Sequence, residues 1–314
     1  MTTAAGSRPV IAADVIAVDW GTSSFRAYAL GPEGEVEERR ESPRGILRVE
    51  AGDYAEALSA EIGDWLQARS GALVIMSGMI GSRQGWMEVP YCPCPCDLAG
   101  LAAKLERLDW PEAEVWIAPG LSDRNIAGLP DVMRGEEVQV FGALAELPEG
   151  SGLVCLPGTH SKWVTLEAGA ITGFATYMTG EVYDVLQAHS ILGRLMTDDT
   201  VGPDDWFLQG VGQGAADTAL LRLLFSVRSR VLSAEMPECA ARAYLSGLLI
   251  GHEVAAALRA HDGAGDVILL GAPKLAKLYE TALSSLGCDA KLIGADAVAQ
   301  GLFQLAQRLP GKAA

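Results

Sequence analysis

The same short pattern occurs in both halves of the chain: an apolar run, then Gly-Thr-x-Ser, then a second run that alternates. Val15-Ile16-Ala17-Val18-Asp19-Trp20 leads into Gly21-Thr22-Ser23-Ser24, and Gly152-Leu153-Val154-Cys155-Leu156-Pro157 leads into Gly158-Thr159-His160-Ser161. Two copies half a chain apart describe a duplicated domain rather than a solenoid, whose repeats are short and numerous. In each copy the second run reads as a strand returning in a hairpin.

The rest of the chain fits that duplication. Strands are expected at 14–20, 24–30 and 35–41, the last two joined by the turn Gly31-Pro32-Glu33-Gly34. Residues 53–69 have helical spacing, with Tyr54, Leu58, Ile62, Trp65 and Leu66 on one side. Buried strands are expected at 72–77 and 115–118, and a helix at 136–146. The stretch Pro148-Glu149-Gly150-Ser151-Gly152 is the candidate hinge. Strands then follow at 153–156, 162–167 and 170–177, long helical patterns fill the two-hundreds, and a strand at 266–270 precedes helices at 274–286 and 295–309. The expected lobes are 1–147 and 148–314, with the last helix packing back toward the N-terminal lobe. The fold class expected is α/β, with duplicated mixed sheets, helices and a central cleft.

Of 314 residues, 49% are hydrophobic and 20% charged, so a large core can form. The balance of 24 Lys+Arg against 40 Asp+Glu gives a net charge of -16, which argues against a nucleic-acid binder. It leaves room for a nucleotide, since a few backbone N–H groups and one magnesium ion neutralise a phosphate tail locally. No run reaches the ~18 apolar residues of a membrane span; the longest candidate, 244–260, is interrupted by His252, Glu253 and Arg259. With only Arg8 before an apolar stretch broken by Asp14, the N-terminus lacks the form of a secretory signal, and a cytoplasmic protein is expected. Oligomeric state stays open, a dimer included.

A tight glycine turn brings backbone close to a ligand, and its successive N–H groups form an anion-binding concavity. Hydroxyls at Thr22, Ser23, Ser24, Thr159 and Ser161 add donors at the same rim. One such turn alone reads as an ordinary hairpin; the pair reads as a clamp on a triphosphate, contributed by Gly21, Thr22, Ser23 and Ser24 on one side and Gly158, Thr159, His160 and Ser161 on the other. Asp19, at the end of the first strand, is the expected magnesium contact. Competing motifs fail. The only Gly-Lys is the terminal Gly311-Lys312, so there is no Walker A segment. In Gly210-Val211-Gly212-Gln213-Gly214 the third glycine comes one position early for a dinucleotide turn, and a flexible connection between helices is expected there. No Gly-x-Ser-x-Gly elbow occurs. Cys92-Pro93-Cys94-Pro95-Cys96 has the wrong spacing for a zinc knuckle and reads as a stiff loop.

The segments Asp19–Ser24, Leu156–Lys162 and Gly265–Pro273 resemble the phosphate-1, phosphate-2 and adenosine segments of the actin-like ATPase superfamily. More narrowly, Ser77-Gly78-Met79-Ile80-Gly81-Ser82-Arg83-Gln84-Gly85-Trp86, Asp131-Val132-Met133-Arg134-Gly135-Glu136-Glu137 and Met178-Thr179-Gly180-Glu181 resemble the 2-dehydro-3-deoxygalactonokinase family. The resemblance implies a two-lobed fold and ATP- and magnesium-dependent phosphorylation of the terminal (6-) hydroxyl of a small sugar acid, 2-dehydro-3-deoxy-D-galactonate, in galactonate breakdown. It also implies an adenosine contact at Gly271 and Ala272. Where many members carry an acidic residue, the second turn has Leu156-Pro157, so Asp19 carries more of the magnesium contact.

A sugar kinase needs a carboxylate within reach of the attacking hydroxyl. Glu136 and Glu137 are the candidates, and Glu137 is preferred because it shares a helical face with Val140, Phe141 and Leu144. The alternative is that both simply complement a helix N-terminus. A keto-acid carboxylate calls for a guanidinium. Arg83 is the expected partner, with Ser82, Gln84 and Trp86 around it; Arg134 is the rival, or else pairs with a neighbouring glutamate. Lys162 either reaches the phosphates or is a solvated strand residue, and Glu181 is a weaker candidate for the substrate site. Two other functions use the same clamp. A phosphoanhydride hydrolase of the exopolyphosphatase kind would release phosphate without a sugar acid, and an actin-like interaction module would respond to nucleotide alone.

Overall fold

The computed structural model describes residues 14–309 apart from 51, 126–127, 197–203, 262–264 and 295. The stretch holding Arg8, the terminal Gly311-Lys312 and the expected helix start at 295 lie outside the described residues. The chain forms two compact units. The first takes in the chain up to Gly150, Glu167–Gly173 and the segment from Asp296; the second holds Ser151–Leu166 and Phe174–Ala295.

The first unit opens with the meander β1 (Val15–Trp20), β2 (Phe25–Leu30) and β3 (Val36–Ser42). There follow α1 (Tyr54–Ala68), β4 (Leu73–Ser77), β5 (Cys92–Pro93), β6 (Cys96–Asp97), α2 (Leu98–Ala102), β7 (Glu106–Leu108), β8 (Glu114–Ile117), β9 (Leu121–Arg124), β10 (Pro130–Met133) and α3 (Glu136–Gly142). The main sheet runs β3-β2-β1-β4-β8-β7, with β1 parallel to β4 and β4 parallel to β8. Every residue of β1 is buried, because a central strand covered on both faces has no solvent side to alternate toward. Helix α1 buries Tyr54, Leu58, Ile62 and Trp65 along one stripe. Trp20 meets Phe25 and Tyr54 edge-on, at centroid distances of 5.1 and 6.0 Å.

The second unit is built from β11 (Gly152–Leu156), β12 (Ser161–Glu167), β13 (Ala170–Tyr177), α4 (Thr179–His189), α5 (Asp205–Ala216), α6 (Leu220–Leu232), α7 (Ala241–Ala260), β14 (Val267–Leu270), α8 (Pro273–Ser285) and β15 (Ala290–Ile293). Its strand order, β15-β14-β11-β12-β13, repeats that of β8-β4-β1-β2-β3: an antiparallel meander extended by parallel strands. The duplication read from the two Gly-Thr-x-Ser turns is therefore present in the topology. The start of β13 belongs to the first unit, where Ala170 and Ile171 pair with Asp97 and Cys96. Helix α9 (Ala297–Ala306) also belongs there and packs on α3, β1 and β4.

Two local expectations differ from the structure. Residues 210–214 are no connection between helices; they lie inside α5. A Cβ added at Gly210 or Gly214 would overlap the carbonyls of Tyr244 and Leu248, and one at Gly247 or Gly251 of α7 those of Phe207 and Val211. The glycines let two helix backbones touch, and that packing outweighs their poor helix propensity. The helix expected at 136–146 stops at Gly142, where an added Cβ would overlap the Ala297 carbonyl, and resumes as a 3-10 turn at Leu144–Glu146. The small sheet β10-β9-β5 was not foreseen at all. Among the described residues no helix is long and apolar enough to cross a membrane.

Candidate active site

In the first unit the hairpin after β1 closes through a bond from the Gly21 amide to the Ser24 carbonyl, 2.9 Å. Thr22, Ser23 and Ser24 are exposed, and the turn is braced from behind by the Ile46 amide donating to the Gly21 carbonyl at 3.0 Å. Asp19, two residues before that turn, is 5% exposed. Arg26 stands opposite it in the β1–β2 register, with a nitrogen 2.7 Å from Oδ2. Burial pushes the Asp19 carboxyl up and the guanidinium pulls it back. Neither Asp19 Oδ2 nor Arg26 Nε has an aligned hydrogen-bond partner, so this contact is ionic, and Oδ2 keeps its accepting capacity.

Two glycines bring further segments onto Asp19. Gly78 follows β4 with φ 90°, and Gly135 precedes α3 with φ 107°. A Cβ at Gly78 would stand 2.8 Å from the Trp20 carbonyl and 3.1 Å from Asp19 Oδ1; one at Gly135 would stand 3.2 Å from the Gly78 Cα. Only glycine offers both the positive φ and the clearance. The ends of β1 and β4 and the start of α3 therefore converge.

Glu137, in the first turn of α3, is 0% exposed. Its two carboxylate oxygens accept from the Gly135 amide at 2.9 and 2.8 Å. Burial, and then the Glu136 charge, push its carboxyl well above the ordinary 4.5; backbone amides and Arg134 oppose them. Glu136 is partly buried and accepts from the Arg134 amide at 2.9 Å.

Arg134 is held on three sides. Nη2 donates to the Val89 carbonyl at 2.7 Å, the guanidinium lies 4.3 Å from the Tyr91 ring centroid, and a Cβ at Gly81 would come within 3.1 Å of Nη1. Its Nε and Nη1 are buried without a hydrogen-bond partner. Arg83, by contrast, has a side chain 87% exposed and 3.7 Å from Glu88. Ser82 is buried, and its Oγ accepts from the Gln84 amide at 3.3 Å; Gln84 is exposed, and its carbonyl accepts from the Tyr54 hydroxyl at 2.6 Å. Trp86 stacks on Tyr54 and meets Trp110 edge-on, packed against the core. The cysteine loop follows directly on Tyr91. A hydrogen bond from the Cys96 thiol brings Cys92 down to about 7, and burial pushes Cys94 up to about 12. Among the described residues no cluster of three or more His, Cys, Asp or Glu could hold a metal.

The second unit holds the other turn. Thr159 and His160 are exposed at its tip, while Ser161 and Lys162 are buried. Ser161 points inward onto Tyr279, 2.8 Å between hydroxyls, and Lys162 Nζ donates to Thr176 Oγ1 at 2.8 Å. The start of α4 lies on this turn: the Glu181 amide donates to the Thr159 carbonyl at 3.0 Å, and the Glu181 carboxylate pairs with His160 Nε2. Gly271, after β14, lies against Pro157, a Cβ there being 3.4 Å from its carbonyl; Ala272 is exposed and caps α8. Beside the turn is a cavity of about 250 Å3. Gly158 and Thr159 line one side, Thr179, Gly180, Tyr183 and Asp184 of α4 another, and Ser246, Leu249 and Ile250 of α7 with Leu275, Leu278 and Tyr279 of α8 the rest. Apolar walls with few polar groups suit a ring-bearing ligand.

Sequence reasoning missed Arg26, Tyr183, Ser246, Tyr279 and Glu253. A signal existed for two of them. Arg26 sits on a strand whose hairpin register sets it opposite Asp19, and Glu253 is an acid inside a long apolar helix.

The family model described as 2-keto-3-deoxy-galactonokinase matches residues 19–305. The chain is 40% identical to the Rhizobium meliloti (strain 1021) protein named "Probable 2-dehydro-3-deoxygalactonokinase DgoK1", over 93% of this chain and 96% of that one. It is 34% identical to the 2-dehydro-3-deoxygalactonokinase of Escherichia coli (strain K12), over 91% of this chain and 94% of the other. A crystal structure from Sinorhizobium meliloti, 40% identical, superposes with a TM-score of 0.88 over 93% of this chain and 98% of its own. At the level of fold alone, component A of (R)-2-hydroxyglutaryl-CoA dehydratase from Acidaminococcus fermentans matches at 14% identity, with a TM-score of 0.52 over 96% of this chain and 99% of that one. The fold is that of the actin-like ATPases and sugar kinases.

Proposed function

The chain belongs to the 2-keto-3-deoxy-galactonokinase family, and from that premise we propose that it transfers the γ-phosphoryl group of ATP to the terminal hydroxyl of 2-dehydro-3-deoxy-D-galactonate. The observation that carries the residue assignment is the convergence of three motif segments in the first unit: Asp19, Gly78 and the Gly135–Glu137 turn.

Glu137 is the proposed general base. A carboxyl raised by burial is better matched to abstracting a hydroxyl proton near neutral pH than an ordinary one. Glu136 braces the same turn through the Arg134 amide. Arg134 is the favoured receptor for the sugar-acid carboxylate, because two buried nitrogens of a fixed guanidinium, Nε and Nη1, are left without partners. Arg83 remains a candidate at the exposed end of the same loop, with Ser82, Gln84 and Trp86 shaping it.

The two turns, with Lys162 and the His160–Glu181 pair beside the second, are the proposed phosphate contacts, and the cavity walled by α4, α7 and α8 is the proposed adenosine site. Magnesium fits the donor set. It binds through one or two carboxylates plus substrate phosphates and keeps several waters, and Asp19 offers a hard oxygen without an aligned donor. Asp19 would hold the ion; when bound, magnesium neutralises phosphate charge during transfer. A cytoplasmic enzyme of small-molecule metabolism is consistent with this reading.

The test is ADP release measured over a panel of keto-deoxy sugar acids and with none. Turnover confined to the galactonate-derived acid supports the proposal. Phosphate release at the same rate without any acceptor would overturn it in favour of a phosphoanhydride hydrolase.

A further inference from the structure

Glu253 lies in the middle of α7 and is 1% exposed. A carboxylate so placed is costly unless donors surround it, and here they do. Oε1 accepts from Trp163 Nε1 at 2.8 Å and Oε2 from the Tyr279 hydroxyl at 2.7 Å. Thr179 and Ser161 side chains also bond to it. These partners come from β12, α4 and α8. Ser161 closes the second Gly-Thr-x-Ser turn, and Thr179 and Tyr279 line the cavity beside it.

A carboxylate only accepts, so it dictates the direction of every proton around it. Tyr279 has one hydroxyl hydrogen and gives it to Glu253. In the 2.8 Å contact between Ser161 and Tyr279 the serine must then be the donor, unless its hydrogen goes to the carboxylate directly. Either way the Ser161 hydrogen is committed inward, and the turn meets its ligand with backbone and with Thr159 instead.

We propose that Glu253 is a positioning residue for nucleotide binding: without touching the ligand, its carboxylate fixes Ser161, Thr179 and Tyr279, and through them the wall made by Gly158 and Thr159. This rests on the reading of the α4–α7–α8 cavity as the nucleotide site. In Glu253→Gln the amide nitrogen faces a former donor. Tyr279 must then turn its hydrogen to Ser161, and the Ser161 hydrogen is displaced into the turn.

The test uses the full chain and three variants, Glu253→Gln, Tyr279→Phe and Ser246→Trp. Steady-state kinetics with ATP and the sugar acid are read beside ADP binding by calorimetry. Ser246→Trp fills the cavity and reports on the underlying reading. Expected for both Glu253→Gln and Tyr279→Phe is a KM for ATP raised roughly tenfold, the effect of one charge-assisted hydrogen bond, with the KM for the sugar acid within about twofold. If Ser246→Trp weakens ADP binding while Glu253→Gln leaves the KM for ATP unchanged, or raises both KM values equally, the positioning role is overturned. If Ser246→Trp leaves ADP binding intact, the cavity reading itself is wrong and the proposal falls with it. Should Glu253→Gln fail to fold, Tyr279→Phe decides: it keeps the Trp163 bond but removes the hydroxyl that joins Glu253 to Ser161, and an unchanged KM for ATP in that variant overturns the role.

Discussion

The Gly135 amide donates to both carboxylate oxygens of Glu137, at 2.9 and 2.8 Å, in a site where the side chain has no exposed surface. That single N–H and the neighbouring amides do not offset the burial, which pushes the carboxyl well above the ordinary 4.5. A base must be ionised to take a proton, so activity should fall on the acid side at a pH above the usual carboxylate range. A pH profile of kcat/KM checks this, and Glu137→Gln should cost a hundredfold to ten-thousandfold, roughly, in kcat. An acid limb at the ordinary carboxylate pKa, or a fully active Glu137→Gln, would remove Glu137 from the role.

The same shift has a stability consequence of definite sign. With the folded value above the unfolded one, the contribution is fully present below about 4.5 and is lost as pH rises through the folded value. Glu137→Gln carries no such penalty, so its Tm should rise relative to the parent as pH increases from below 4.5. A constant Tm difference across pH would contradict the assignment.

Arg134 and Arg83 make opposite predictions. Removing the buried guanidinium in Arg134→Met should raise the KM for the sugar acid by roughly tenfold to a hundredfold, with the KM for ATP little changed. Arg134→Lys should recover only part, since an ammonium cannot reproduce the planar fork. Arg83→Ala should change either KM by less than about twofold, the scale of an exposed ion pair. Steady-state kinetics on both sites decide between them.

For Asp19 the readout is magnesium dependence. Unit charges at contact distance are worth ~1–4 kcal/mol between water and a protein surface. The magnesium concentration for half-maximal rate should therefore rise by roughly tenfold or more in Asp19→Asn. An unchanged magnesium titration would place the ion elsewhere.

Gly247→Ala tests the α5–α7 contact independently of activity. The added methyl would overlap the Phe207 carbonyl, so the variant should lose about 2 kcal/mol, visible as a lower Tm in thermal unfolding.

Much of this was written locally in the sequence. Strands β1, β2, β4, β11 and β14 carry continuous or alternating apolar runs, and the two turns share the Gly-Thr-x-Ser pattern. Glu137 could be placed inward because Val140 and Phe141 share its helical phase, and both are buried. What escaped depends on partners distant in sequence. β9 and β10 are short, polar strands that exist by pairing with each other and with Cys92–Pro93. The glycines of α5 look like a turn until α7 is laid against them. Arg134 and Arg83 are alike as letters; only Val89, Tyr91 and Gly81 enclose the one, while the other stands in solvent. Glu253 was visible as a break in an apolar run, yet its meaning came from Trp163 and Tyr279.

Helix α9 packs against β1, β4 and α3, strands and a helix made in the first half of the chain. A ribosome delivers it after all of them. Until then the apolar seam along Val138 and Gly142 that it covers stays wet, whereas the segment from Ser151 to Ile293 already contains the whole α5–α7–α8 core. Vectorial synthesis thus lets the inserted unit close before the first unit has its covering helix.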